Sequence, residues 1–305
     1  MNEPIITRSY PDPSVCRVGK DYYLVSSRFE HFPGVPIFHS RDLTDWVRIG
    51  TVPDRPPAGA VSAGGIYAPT LRHYDGRFWL VATRAQGGGN VLVSAEDPAG
   101  PWSAPTPLPG VPGIDPDLVW DEDGNCWCTY AGVEQVRIDP ATGRILGTPT
   151  KLWSGSPGPE FPVAPHLYRI GEHWYLTVAE VGTERSHAIS IARGPTVNGP
   201  FEPCPDNPIL TDRGPEHPVR HAGHGDLVQA PDGAWWMVFL GMRSQGGTPG
   251  RHGLGRETFL APVHWVDGWP VVGEPSAGPA TPPRHTDVEP ITDDFDESDL
   301  HPHWN

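Results

Sequence analysis

Asp12-Pro13-Ser14-Val15, followed after a short gap by Tyr22-Tyr23-Leu24-Val25, is the first of five copies of one pattern. Each copy has a small or acidic residue beside a proline or glycine, a short apolar run, then an aromatic-rich apolar strand. The second and third copies are Ala68-Pro69-Thr70-Leu71 before Phe78-Trp79-Leu80-Val81, and Asp115-Pro116-Asp117-Leu118 before Cys126-Trp127-Cys128. The fourth is Ala164-Pro165-His166-Leu167 before Trp174-Tyr175-Leu176, and the fifth is Gly225-Asp226-Leu227-Val228 before Trp235-Trp236-Met237-Val238. With Tyr22, Phe78, Cys126, Trp174 and Trp235 as register marks, the steps are 56, 48, 48 and 61 residues.

A repeat of that length made only of strands cannot bury both faces of its own sheet, so it needs a neighbouring sheet on each side. Radial closure supplies those neighbours. Gly-containing turns such as Tyr74-Asp75-Gly76-Arg77, Asp121-Glu122-Asp123-Gly124, Ile170-Gly171-Glu172 and Pro231-Asp232-Gly233 separate apolar runs within the copies, as hairpin turns do. The reading is all-β, a five-bladed β-propeller over residues 1–290. The 36 Gly and 39 Pro agree with many turns, no window has a capped helical period, and the twelve Trp suit packing between blades.

A formal net charge of −15, with 22 basic residues scattered among 37 acidic ones, argues against a nucleic-acid partner. No apolar run approaches the length that spans a bilayer, and Met1-Asn2-Glu3-Pro4-Ile5 has neither a basic nor an apolar leader region. The expectation is a cytoplasmic protein without a membrane partner, with oligomerisation left open. Cys16, Cys126, Cys128 and Cys204 have no metal-ligand spacing beyond one Cys-x-Cys, and read as buried free thiols.

In a propeller the innermost strands converge on the axis, and the residues at the head of each repeat gather at one mouth of the channel. Those heads are Asp12, Ala68, Asp115, Ala164 and the His224-Gly225-Asp226 group. A lone Asp-Pro is an ordinary turn former. Equivalent positions of different blades converging on one spot instead make a pocket that holds two carboxylates and a histidine. Paired carboxylates of this kind are what inverting glycoside hydrolysis requires: a base for the attacking water and an acid for the departing oxygen.

Nearly the whole chain resembles the β-xylosidase and α-L-arabinofuranosidase branch of glycoside hydrolase family 43, a family of five-bladed propellers. The resemblance rests on Tyr10-Pro11-Asp12-Pro13-Ser14, Phe32-Pro33-Gly34-Val35-Pro36-Ile37, Ala68-Pro69-Thr70, Gly113-Ile114-Asp115-Pro116, Pro165-His166-Leu167-Tyr168, Gly182-Thr183-Glu184-Arg185, Gly223-His224-Gly225-Asp226 and Leu254-Gly255-Arg256-Glu257-Thr258-Phe259. It implies that Asp12 is the general base and Asp115 the carboxylate that modulates the acid and orients substrate. It further implies that Arg256 binds sugar hydroxyls, that Phe32 and Tyr67 wall the pocket, and that Thr183 lies near its rim. His224 is implied to sit on the axis, where relatives hold a calcium ion or a water; as a lone histidine it is equally a hydrogen-bonded core residue. No cofactor is required by this reading, and the partner is a small carbohydrate or glycoside.

The family places its general acid, a glutamate, in the segment before Pro-His-Leu-Tyr, where this chain reads Phe161-Pro162-Val163-Ala164. Valine cannot donate a proton. A substitute acid could come from Glu160 upstream, or from Glu180 or Glu184 on the neighbouring strand and loop. The alternative is a non-hydrolytic descendant: a sugar-binding pseudoenzyme, or a biosynthetic enzyme that cyclises or eliminates with Asp12 as base. Residues 291–305 resemble the opening of the β-sandwich that follows the propeller in relatives, joined through a Pro- and Gly-rich linker from Gly273 to Pro283.

Overall fold

The computed structural model describes residues 3–29, 34–52, 65–85, 88–157, 161–180, 187–211, 217–243 and 254–276. These residues form five antiparallel sheets and contain no helix. Blade I comprises Ser14–Val18, Asp21–Val25, Val35–Ser40 and Val47–Val52, and blade II comprises Ile66–Tyr74, Arg77–Arg84, Gly89–Ala95 and Thr106–Pro107. Blade III is built on Asp117–Trp120, Cys126–Tyr130 and Glu134–Asp139, and blade IV on Val163–Ile170, His173–Glu180 and Ala188–Gly194. Two short edge pieces complete each of these two. Blade V holds Val219–Gln229, Trp235–Arg243, Glu257–Val266 and Trp269–Val272. Within each sheet the strands run in sequence order from the inside outward, so the five-bladed propeller read from the repeats is the observed fold.

All five register marks lie at the first or second residue of the second strand of their blade. The hairpin turn at Asp75-Gly76 has positive φ at both residues (49° and 73°), the primed geometry that matches the twist of the strands it joins. The residues at 277–305, including the proposed linker's end and the tail, lie outside the described residues.

Closure of the ring explains why one strand serves two cores. Five buried apolar clusters occur, one at each junction of adjacent blades. On the second strand of blade V, Met237 and Phe239 face blade IV beside Ile189 and Ile191, while Trp236 and Val238 face blade I beside Tyr22 and Leu24. The period of two along a strand thus distributes successive side chains between two neighbours. Trp174, Trp236 and Trp269 are buried, and Trp46, Trp79, Trp102 and Trp127 pack at the edges of the clusters. The four cysteines are buried and free. The ring is tied by Ile6, which bridges Thr258 on the third strand of blade V, and by the Tyr10 N–H, which donates to the Arg256 carbonyl.

Candidate active site

Each blade delivers one head residue to the axis in the same unusual conformation. Asp12, Ala68, Asp115, Ala164 and His224 have φ of 55°, 37°, 53°, 47° and 46°. The left-handed region costs a residue with a Cβ about 1–2 kcal/mol, so five such residues in equivalent places mark a feature that the surroundings enforce. In blades II, IV and V the strand register slips at this point, between Tyr67 and Thr70, between Val163 and His166, and between Gly223 and Gly225. In these three blades the head is therefore a bulge residue, and a bulge re-aims its side chain out of the ladder, whereas Asp12 and Asp115 stand just before the first paired residue of their strands.

Asp12 is buried, and its carboxylate is held on two sides. The Ser27 hydroxyl donates to Oδ2 at 2.6 Å, and the same hydroxyl oxygen accepts the Ala68 N–H at 2.6 Å, which couples the heads of blades I and II. Arg256 Nη1 lies 3.4 Å from Oδ1, and His224 Nδ1 lies 3.6 Å from it. The Arg256 guanidinium is also 4.7 Å from the Phe29 ring centroid, and Phe29 packs on Tyr67 at 5.2 Å. Tyr67 is thus connected to Arg256 through Phe29, an aromatic neighbour absent from the sequence reading. Phe32, Thr183, Glu160 and Glu184 lie outside the described residues.

Asp115 is positioned through blade II. Its N–H donates to Thr83 Oγ1, whose own hydroxyl donates to Asn90 Oδ1, and the Asn90 amide donates to the carbonyls of Val111 and Gly113. Burial, together with the charge of Asp12, pushes the Asp115 carboxyl up to about 7, against His166, the Ala164 N–H that donates to it, and Arg256. Two carboxyl groups close enough to repel do not both ionise readily. Burial pushes His224 down to about 4 despite Asp12, and His187 down to about 3, so both imidazoles are neutral at neutral pH. His187 fits flat against Gly223, where any Cβ would collide with its ring, and its Nδ1 is buried without a hydrogen-bond partner.

Two residues past each head, Ser14, Thr70, Asp117, His166 and Asp226 form a second, fully buried polar ring. Its centre is Arg72. The guanidinium contacts Asp117 at 2.9 Å, Asp226 at 2.8 Å, His166 Nδ1 at 3.1 Å and Ser14 Oγ at 3.3 Å. The Tyr168 hydroxyl closes the set on Asp226 Oδ1. Side chains from all five blades meet at this one cation. It also decides how well calcium fits. Calcium takes roughly six to eight oxygen ligands, yet the axial carboxylates Asp117 and Asp226 already face a resident cation, and Asp12 is the carboxylate paired with His224. Among the described residues no group of three or more His, Cys, Asp or Glu is arranged to hold a metal, so the donor set near His224 does not fit a calcium ion.

Glu180 does not serve the pocket. Val163 pairs with Ala179, which puts the next residue, Glu180, on the opposite face of the sheet. There both carboxylate oxygens are engaged, one by the Ser156 N–H at 2.6 Å and the other by the Ser190 hydroxyl. Its work is to pin the loop at Gly155-Ser156, which passes so close that a Cβ on Gly155 would strike it.

A family model described as Glycosyl hydrolases family 43 matches residues 1–270. The chain is similar to BoGH43B, a non-reducing end alpha-L-arabinofuranosidase of Bacteroides ovatus, at 43% identity over 326 residues, covering 100% of this chain and 60% of that protein. It is 44% identical over 302 residues to a xylosidase/arabinosidase of Butyrivibrio fibrisolvens, covering 92% of this chain and 57% of the relative. Among solved structures, the GH43 protein BlXynB from Bacillus licheniformis superposes with a TM-score of 0.89 at 36% identity, over 99% of this chain and 63% of that one. The chain spans less than two thirds of the length of these relatives.

Proposed function

The chain belongs to glycoside hydrolase family 43, and from that premise we propose that its axial pocket hydrolyses β-xylosides or α-L-arabinofuranosides with inversion, Asp12 acting as base and no acid standing at position 163. The observation that carries this reading is the setting of Asp12. It is a buried carboxylate at the converging heads, fixed by Ser27 and flanked by Arg256 and a neutral His224. A base must be oriented and desolvated to take a proton from water at the reacting carbon. Arg256, packed on Phe29, presents donors for sugar hydroxyls beside it. Asp115, shared between a proton and the Ala164 N–H, orients substrate from the opposite blade.

Balance of the step is simple. Asp12 takes one proton from water, the water oxygen bonds to the anomeric carbon from one face, and the glycosidic C–O bond breaks on the other. The leaving oxygen departs as an anion that solvent protonates, because Val163 offers no proton. An acid at that place is worth roughly two to four orders of magnitude, so slow turnover of unactivated glycosides is expected. No cofactor enters this reaction, and no step runs through calcium.

The test is hydrolysis of 4-nitrophenyl β-D-xylopyranoside and 4-nitrophenyl α-L-arabinofuranoside by wild type and Asp12→Asn, with the product anomer followed by NMR. Turnover with inversion that Asp12→Asn removes supports the reading; unchanged turnover in Asp12→Asn sinks the base assignment. A second reading, a sugar-binding protein that no longer hydrolyses, is favoured by the valine itself. Pentose binding by calorimetry without turnover of either aryl glycoside would establish it.

A further inference from the structure

We infer that the leaving-group side of this pocket is built for an aromatic aglycone, so that the natural substrates are pentosides of phenols rather than of sugars. This rests on the reading above, in which position 163 faces the departing oxygen. Three apolar residues are gathered there by backbone ties. The Ile114 carbonyl accepts the Ala131 N–H at 2.8 Å, and the Pro162 carbonyl accepts the next N–H, that of Gly132, at 3.0 Å. The segments before Asp115 and before Ala164 therefore run side by side, joined again where the Ala164 N–H donates to the Asp115 carboxyl. The backbones of Ile114 and of Phe161 to Val163 are thereby held on adjacent residues of one turn, immediately before Asp115 and the head Ala164.

Two of the three are exposed, and one of them is an outlier. Phe161, at 76%, is the most exposed large apolar side chain among the described residues, and Ile114 beside Asp115 is 44% exposed, as several surface residues are. Phe161 also has a φ of 58°, an uncommon and costly conformation for a bulky residue. A strained, outward aromatic beside a reaction centre is the sort of outlier that points to a ligand. Sugar hydroxyls at this place would need hydrogen-bond partners, and none of these three side chains carries one. An aromatic ring needs only the apolar surface.

Leaving-group chemistry points the same way. A phenol ionises near pKa 10, several units below an aliphatic sugar hydroxyl, so a phenolate departs without the proton that valine cannot give. The atoms balance as glycoside plus water yielding pentose plus phenol, with Asp12 holding the water's first proton until solvent removes it. The apolar wall and the missing acid are thus two parts of one adaptation: the first selects the aglycone for which the second is not needed.

The experiment has a binding arm and a rate arm, using the pentose that wild type accepts. In the inert Asp12→Asn protein, calorimetry compares the methyl glycoside, the phenyl glycoside and the pentobiose. Phenyl is expected to bind about 5–10-fold tighter than methyl, as burial of part of a ring implies, and Phe161→Ser in that background should remove most of the difference. In wild type, kcat/KM for the phenyl glycoside should exceed that for the pentobiose by about 100-fold or more, and Val163→Glu should narrow the gap by raising the pentobiose rate. Equal binding of phenyl and methyl glycosides, or a pentobiose rate within tenfold of the phenyl rate, overturns the inference while leaving pentoside hydrolysis standing. Absence of turnover on every pentoside, with Val163→Glu equally silent, instead overturns the hydrolytic reading, and the aglycone inference with it.

Discussion

Replacing Arg72 by Met tests whether one guanidinium pins the five blades beneath the pocket. The variant keeps the length of the side chain and removes the charge, leaving Asp117 and Asp226 facing each other across the axis. Both carboxylates are essentially buried, and the pair contacts of 2.9 and 2.8 Å are lost together. Breaking a buried ion pair on one side costs about 3–5 kcal/mol, because the stranded charge stays desolvated. Asp226 keeps hydrogen bonds from Ser14, Val15 and Tyr168, and Asp117 keeps one from Leu167, so the loss should not exceed that range. For a 305-residue chain with an unfolding entropy of roughly 2.1 cal/mol/K per residue, that corresponds to a fall in Tm of about 5–8 °C. The pH dependence is diagnostic. Burial alone would push the Asp226 carboxyl up, and Arg72, with His166 and Tyr168, overrides it and holds it well below the usual carboxylate range. A depressed carboxylate stabilises the fold above its unfolded pKa of about 3.9, and that contribution is lost only as pH falls through the lower folded value. Without Arg72 burial dominates and raises the carboxyl instead, so the folded variant takes up a proton more readily as pH falls and relieves its penalty. Chemical denaturation of both proteins at pH 7 and pH 4.5 should therefore show a large destabilisation at pH 7 and a smaller one at pH 4.5. A loss below about 1 kcal/mol, or one that does not change with pH, would refute the pin.

Other expectations concern the pocket and its supports. Asp12→Asn should lower any glycosidase kcat by about two to four orders of magnitude with the fold intact, as measured by steady-state kinetics and thermal melting. Asp115→Asn should gain stability relative to wild type as pH rises. The folded pKa of about 7 lies above the unfolded one, so the wild-type contribution is full below about pH 4 and lost through pH 7; melts at pH 5 and pH 8 check the sign. Glu180→Ala should destabilise by about 1–3 kcal/mol by orphaning the Ser156 N–H and the Ser190 hydroxyl. Its effect on kcat should be small, and a kcat loss as large as that of Asp12→Asn would return it to the list of candidate acids.

What the sequence disclosed and what it hid divide along a physical line. The heads were legible because the turn chemistry that bends each strand toward the axis repeats: Asp12-Pro13, Ala68-Pro69, Asp115-Pro116 and Ala164-Pro165 stand at equivalent register. The polar ring two residues on was equally periodic, since Ser14, Thr70, Asp117, His166 and Asp226 occupy one position of the repeat, and a tally of polar residues at a strand-interior position would have found it. Arg72 could not be found that way. It occurs in one blade only, and its meaning lies in partners from the other four. Ser27 and Phe29 were hidden for the same reason, because each acts on a residue about 40 or more positions away, Ala68 for one and Arg256 for the other. Glu180 looked eligible as an acid because the pairing register of Val163 with Ala179, which decides the face it occupies, is not written in composition or spacing.

The same geometry bears on how the proposed pocket could carry valine at position 163 and still keep its carboxylates in place. The carboxylates that remain are tied into the closure of the ring: Asp12 links blades I and II through Ser27 and meets blade V through Arg256, and Asp115 links blades III and IV through the Ala164 N–H. Removing either disturbs contacts that also hold the heads in their left-handed conformation. Position 163 carries no such duty. Its backbone pairs with Ala179 whatever the side chain, and its neighbour Ala164 supplies the strained head. On the proposed reading, a change there alters the chemistry on one side of the glycosidic bond while Asp12, Arg256 and the Arg72 pin stay in place. That independence is why Val163→Glu is a fair probe: the substitution adds a carboxyl to a position the fold does not use, so any gain in turnover reports on the reaction rather than on repair of the scaffold.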